Sequence, residues 1–201
     1  MKIGALAILI FLTACSTTPE TPAVDTAVSP VSDKEYVNLV EKYTRNKKLY
    51  DGFNLAFEFY ATLMTSDLQD AQVWIQGSDL QWPREKVQVE REKVQANSAK
   101  ETTIFLSFFS PDHEIDNLET TGSIWKIFLV AGGMKYEGKA VRTGGILADV
   151  MRRYPHHTRF NTGYLVTFKA PVNLVQQNDT QFILTGSVGT SEVAFPSTTG
   201  Q

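Results

Sequence analysis

Between Phe53 and Leu63 the apolar residues fall on every second position. Phe53, Leu55, Phe57, Phe59, Ala61 and Leu63 share one side, and Asn54, Ala56, Glu58, Tyr60 and Thr62 share the other. Successive side chains of a pleated strand point to opposite faces, so a period of two predicts a strand with one buried side. A chain carrying such a strand has to build a sheet around it and cover one of its faces.

The residues after Thr102 continue in the same manner. "TTIFLSFFS" (102–110) and "SIWKIFLVA" (123–131) are short, β-branched and aromatic. "MKYEGKAVRT" follows Gly132-Gly133 as a hairpin partner, and "TGYLVTFKA" (162–170), "TQFILTGSV" (180–188) and "TSEVAFP" (190–196) complete the set. Turn residues separate these segments, and Gly189 marks a tight hairpin between the last two. Strands in sequence joined by hairpin-length turns favour antiparallel pairing.

Helical signals are fewer. Ser32-Asp33-Lys34-Glu35 is a capping box. With Tyr36, Leu39, Val40, Tyr43 and Tyr50 near helical spacing, it predicts a helix from Asp33 to about Leu49. Lys47 and Lys48 would complement its C-terminal dipole, and Asp51-Gly52 would end it. Further helices are expected from Ser66 to about Gln76, from about Pro83 to Ala99, and over "GGILADVMRRYP" (144–155). In the second of these Lys86 can pair with Glu90 and Val87 and Val94 face the body, although the alternation in "KVQVER" also permits a strand. The expected fold is α+β: a mainly antiparallel, β-sandwich-like body with an N-terminal helix and one or more helices packed on it. It forms a single domain over 32–197, with a short tail at 198–201.

Composition narrows the function classes. The chain has 201 residues, a net charge of −3, 42% hydrophobic residues and twelve Phe. That is enough apolar material for one sizeable core. The small acidic surplus and interspersed cations argue against a nucleic-acid partner. One cysteine excludes an intramolecular disulfide.

That cysteine has a particular place. Lys2 precedes an apolar run from Ile3 to Leu12, interrupted only by Gly4, and Thr13-Ala14 follows with small residues. This is the layout of a signal peptide over 1–14. Ten helical residues cover about 15 Å, half of a bilayer core, which argues against a permanent span. Leu12-Thr13-Ala14-Cys15 resembles the lipobox of bacterial lipoproteins. The resemblance implies signal-peptidase recognition of Leu12, Thr13 and Ala14, cleavage before Cys15, a diacylglyceryl group on its sulfur and acylation of the new amine. Two or three acyl chains hold a protein stably on a membrane where one holds it only reversibly. Ser16 rather than Asp after the cysteine points, within that resemblance, to an outer membrane and a body facing the periplasm. The proline- and threonine-rich "STTPETPAVDTAVSPV" then reads as a tether, giving a lipidated N-terminus and flexible linker over 15–31 that could extend about 50 Å. Trp125-Ile127-Leu129 and Tyr164-Val166-Phe168 are similar to strands of uncharacterised envelope lipoproteins, a likeness that carries no functional residue.

Motifs of chemistry are sparse. His156-His157 and His113, the latter among Asp112, Glu114 and Asp116, lack metal-ligand spacing and read as solvated loop residues. The "SPDHEIDNLE" acids lack the glycine and distant glutamate of a calcium loop. Ser187 between Gly186 and Gly189 reads as a turn, one residue short of a nucleophile elbow. Glu85, Glu90 and Glu92 form a solvated face, and Arg152-Arg153 with Lys169 is a candidate anion patch read first as a helix-end feature. No catalytic residue, metal ligand or cofactor is assigned. The expectation is a lipid-anchored cell-envelope protein acting as a non-catalytic binding or scaffolding module, with an envelope protein or wall polymer as partner. The alternative is an envelope hydrolase whose site forms only in three dimensions, for instance by bringing His113 or His157 to Ser and Asp.

Overall fold

The computed structural model describes residues 25–119 and 122–198. In chain order the elements are α1 (Asp33–Lys42), β1 (Thr44–Asp51), β2 (Asn54–Leu63), α2 (Ser66–Asp79), α3 (Arg84–Ser98), β3 (Thr102–Phe109), β4 (Lys126–Ala131), β5 (Met134–Glu137), β6 (Lys139–Arg142), α4 (Leu147–Arg153), β7 (Thr162–Phe168), α5 (Val172–Gln177), β8 (Thr180–Gly186) and β9 (Gly189–Phe195). The strands form two antiparallel sheets of order β1-β2-β3-β7-β6 and β5-β4-β8-β9. This is the α+β, β-sandwich-like body expected from the pattern.

The strand that fixed the expectation sits inside the five-stranded sheet. Phe57, Phe59, Ala61 and Leu63 are buried, with Ile104, Leu106, Phe108, Tyr164, Val166 and Phe168 beside them. Ile127, Leu129, Phe182, Leu184 and Phe195 close over them from the second sheet. Phe182 meets Phe59 and Phe168 edge-on, at ring separations of 5.6 and 6.4 Å. Seven of the twelve Phe are buried. Six of the seven lie in this inter-sheet layer and, at about 1.5–3 kcal/mol for each such side chain, make it the main source of stability. On the other side of the five-stranded sheet Phe105 points into a second core, made with Tyr36, Val40, Leu68, Ile75, Val150 and Tyr154 of α1, α2, α4 and its end. The order is therefore helices, sheet, sheet.

The two sheets meet at both sides. Residues 134–142 pass from one to the other at Gly138: β5 pairs with β4 and β6 with β7, while the Gly138 N–H donates to Ile127 at 2.8 Å. The expected single hairpin partner is thus shared between two sheets. At the opposite side β1 approaches β9, where Arg45 lies over Phe195 and Gly189 sits against Leu49. The β8–β9 connection is the tight turn expected, with Gly186 paired to Gly189 and Gly189 at φ 144°.

The first helix is shorter than its spacing predicted. Its capping box forms as read, Ser32 and Glu35 bonding reciprocally, but α1 ends at Lys42. Thr44 turns its hydroxyl back onto the Val40 carbonyl at 2.7 Å, and 44–51 becomes β1. The half-buried strand β2 needs a hydrogen-bonded neighbour, and the adjacent segment supplies it through a turn at Gly52, φ 59°. Lys48 consequently pairs with Glu58 across the strands at 2.8 Å rather than with a helix end. In α3 Lys86 lies over the Trp82 ring and Glu90 takes Lys93. α5 had no signal long enough to read.

Packed structure also begins before Val31. Ala27 is buried against Val73 and Val87, its N–H donates to the Trp82 carbonyl at 2.8 Å, and Asp25 pairs with Arg84 at 2.8 Å. Residues 25–31 are therefore part of the body. Leu12, Thr13, Ala14, Cys15 and the remainder of the expected tether lie outside the described residues.

Candidate functional site

The segment from Tyr154 to Asn161 gathers the polar groups that sequence left scattered. It leaves α4 at Tyr154 and makes two successive turns, the His157 N–H donating to Tyr154 and the Asn161 N–H to Thr158. It crosses the outer face of the five-stranded sheet where Thr62, Tyr60, Phe105 and Ser107 point outward on neighbouring strands. Tyr154 stacks on Phe105 with its ring nearly parallel. His156 stacks on Tyr60, ring centroids 5.2 Å apart, and its Nε2 lies 3.4 Å from the Thr62 hydroxyl.

His157 is the more enclosed of the two. It is 4% exposed, meets Phe105 edge-on, and its Nδ1 lies 2.8 Å from the hydroxyl of the fully buried Ser107. Across the strand pair from Ser107 stands Gly163, where an added Cβ would come within 3.3 Å of the Phe105 ring. The paired histidines are thus not solvated, as their sequence context suggested: strands distant in sequence provide walls for both rings. Burial pushes the His156 imidazole down to about 4, reinforced by His157, and burial lowers His157 in the same direction. Both are neutral at pH 7, the form that can share a hydrogen bond with a hydroxyl.

Beside this cluster the sheet stays open. Glu58, Tyr60, Phe109, His156, Phe160 and Asn161 line a groove of about 330 Å³. Phe160 stands 67% exposed at its mouth, Glu58 is held by Lys48, and Asn161 Nδ2 is buried with no acceptor among the described residues. The groove sets aromatic faces beside a carboxylate and an amide, which offers apolar area for contact and polar groups for orientation. A larger cleft of about 590 Å³ lies between α2 and α3, but Arg91 spans it to Asp70, and Gln69 and Ser98 bond each other. Its polar side chains already serve one another.

The other sequence candidates do not join this site. His113 is exposed and faces only Asp116, at 3.5 Å. Among the described residues no three His, Cys, Asp or Glu side chains are grouped to hold a metal ion. Ser187 occupies the β8–β9 turn. Arg152 is engaged by Asp33 at 2.8 Å and Asp79 at 3.2 Å, so its charge is already answered within the body. Tyr60, Ser107 and Phe160 were missed. Tyr60 carried a signal, being the one aromatic on the polar side of its strand, whereas Ser107 carried none.

No protein family, no curated protein and no solved structure matches this chain.

Proposed function

We propose that this chain is a lipid-anchored cell-envelope protein whose body serves as a non-catalytic binding or scaffolding module, with the groove beside His156 as its recognition surface. The observation that carries the binding role is the half-open aromatic groove. Tyr60 and His156 are stacked in its floor, and Phe160 is displayed at its mouth, 67% exposed, with the Arg159 guanidinium over its ring at 4.8 Å. The anchor rests on the Leu12-Thr13-Ala14-Cys15 sequence. Facing the periplasm from an outer membrane, such a module would meet an envelope protein or a wall polymer.

The test has two arms. Cys15→Ser should release the protein from the membrane fraction and abolish labelling by a clickable fatty acid; unchanged retention rejects the anchor. A photoreactive residue in place of Phe160 should give a discrete adduct in intact cells that Tyr60→Ala removes. The same adduct from a probe at exposed Glu192 rejects the groove.

A hydrolase is the second reading, favoured by the 2.8 Å contact between Ser107 and His157. Against it, both side chains lie beneath the surface, where an acyl group cannot reach the hydroxyl. Fluorophosphonate labelling that is lost in Ser107→Ala would reverse the choice.

A further inference from the structure

The way the chain joins its body singles out one corner of the molecule. Asp25 pairs with Arg84, Thr26 bridges Pro83, and Ala27 bonds Trp82, so the chain meets the body at the turn between α2 and α3. Ten Cα steps separate Cys15 from Asp25, which reach about 35 Å at full extension. A lipid on Cys15 therefore holds that turn within about one body diameter of the bilayer, whatever path the chain takes.

Aliphatic side chains are exposed around the same turn. Val28 is 73% and Leu80 56% exposed. Asp79, the last residue of α2, holds Arg152 at 3.2 Å, which sets the end of α4 beside them. On α4 Leu147 and Met151, four residues apart on one side, are each 41% exposed, and Ile146 before them is 70% exposed. Val150 is turned inward instead. A single exposed Leu needs no explanation, but five such side chains at the end of α2, in the chain before α1 and along α4 do.

The chemistry of the corner favours lipid over protein. Protein interfaces are rich in Tyr, Trp and Arg anchors. This surface presents Val, Leu, Ile and Met, which suit the acyl boundary of a bilayer. Of its neighbouring charges, Arg152 is paired with Asp33 and Asp79, and Arg84 with Asp25, so these ions keep their partners on contact, while the exposed Asp149 of α4 has no ion pair among the described residues and has to stay in the headgroup water. A tether this short keeps the corner at high local concentration near lipid, where even a weak contact stays occupied.

We propose that Val28, Leu80, Ile146, Leu147 and Met151 form the face that this body lays on a lipid bilayer. The proposal rests on the lipid-anchor reading, and its test separates the two. Full-length lipidated protein is reconstituted into phosphatidylcholine–phosphatidylglycerol vesicles with brominated acyl chains, carrying a fluorophore on Leu147→Cys or, as control, on Glu192→Cys of β9. The label at 147 should lose at least about half its emission and the label at 192 almost none, as expected for a side chain set into the acyl boundary. Adding Met151→Asp should restore emission at 147. Co-sedimentation with vesicles and no quenching at either position overturns the docking face while leaving the anchor standing. Failure to co-sediment overturns both. Shielding at 147 that grows with protein-to-lipid ratio, without bromine quenching, assigns the face to a second copy of the chain and overturns the proposal.

Discussion

The hydroxyl of Ser107 and Nδ1 of His157 lie 2.8 Å apart, fifty residues distant in sequence and both beneath the surface. This contact fastens the 154–161 segment to the sheet and so holds the groove in shape. Ser107→Ala leaves a buried imidazole nitrogen without its partner. It should lower unfolding stability by about 1–3 kcal/mol, the usual cost of such an orphan. Urea unfolding at pH 7 reads this as a lower midpoint at unchanged slope.

The same histidines make stability fall in acid. His156 sits at about 4 in the folded chain against 6.5 when exposed, so the unfolded state binds more protons between those values. The stabilisation is complete above about pH 6.5 and is lost as pH falls toward 4, with His157 displaced in the same direction. The pKa difference bounds the His156 contribution at about 3 kcal/mol. Urea midpoints measured from pH 7 to 4.5 should decline across this window, and His156→Gln should flatten the decline.

Gly138 is where one strand is handed between two sheets. A Cβ there would lie 2.5 Å from the Phe168 ring and 2.7 Å from Val166, both fully buried. Gly138→Ala should therefore cost about 1–3 kcal/mol through overpacking. Thermal unfolding should show this as a drop of roughly 2–4 °C per kcal/mol. Gly144→Ala, with nothing within 4 Å of the added carbon, is the control for backbone effects.

Phe182→Ala removes the ring that meets Phe59 and Phe168 from the opposite sheet. The site is enclosed on all sides, and a loss of about 3–5 kcal/mol is expected. Chemical denaturation should detect it, and near-ultraviolet dichroism should report loosened aromatic packing.

Sequence made the middle of the sheet legible and its borders obscure. The alternation of Phe57, Phe59, Ala61 and Leu63 is local, so their shared face could be read directly, as could Trp125-Ile127-Leu129 and Tyr164-Val166-Phe168. β1 was hidden because a strong capping box and helically spaced tyrosines preceded it, while its reason for being a strand lies in its pairing with β2. The split at Gly138 was hidden for a related cause: which sheet a strand joins depends on partners that local pattern does not name. His156 and His157 looked like loop residues because Tyr60, Phe105 and Ser107, which enclose them, come from strands 49 to 97 residues earlier.

The junction at Asp25–Ala27 also has a mechanical meaning. A pull arriving along the N-terminal chain reaches the Arg84 ion pair and the Ala27–Trp82 hydrogen bond first, on the helical layer and away from the two sheets. Tension is spent peeling a few residues from a helix corner before any strand is asked to slide. The core is thereby insulated from tension that enters along this chain.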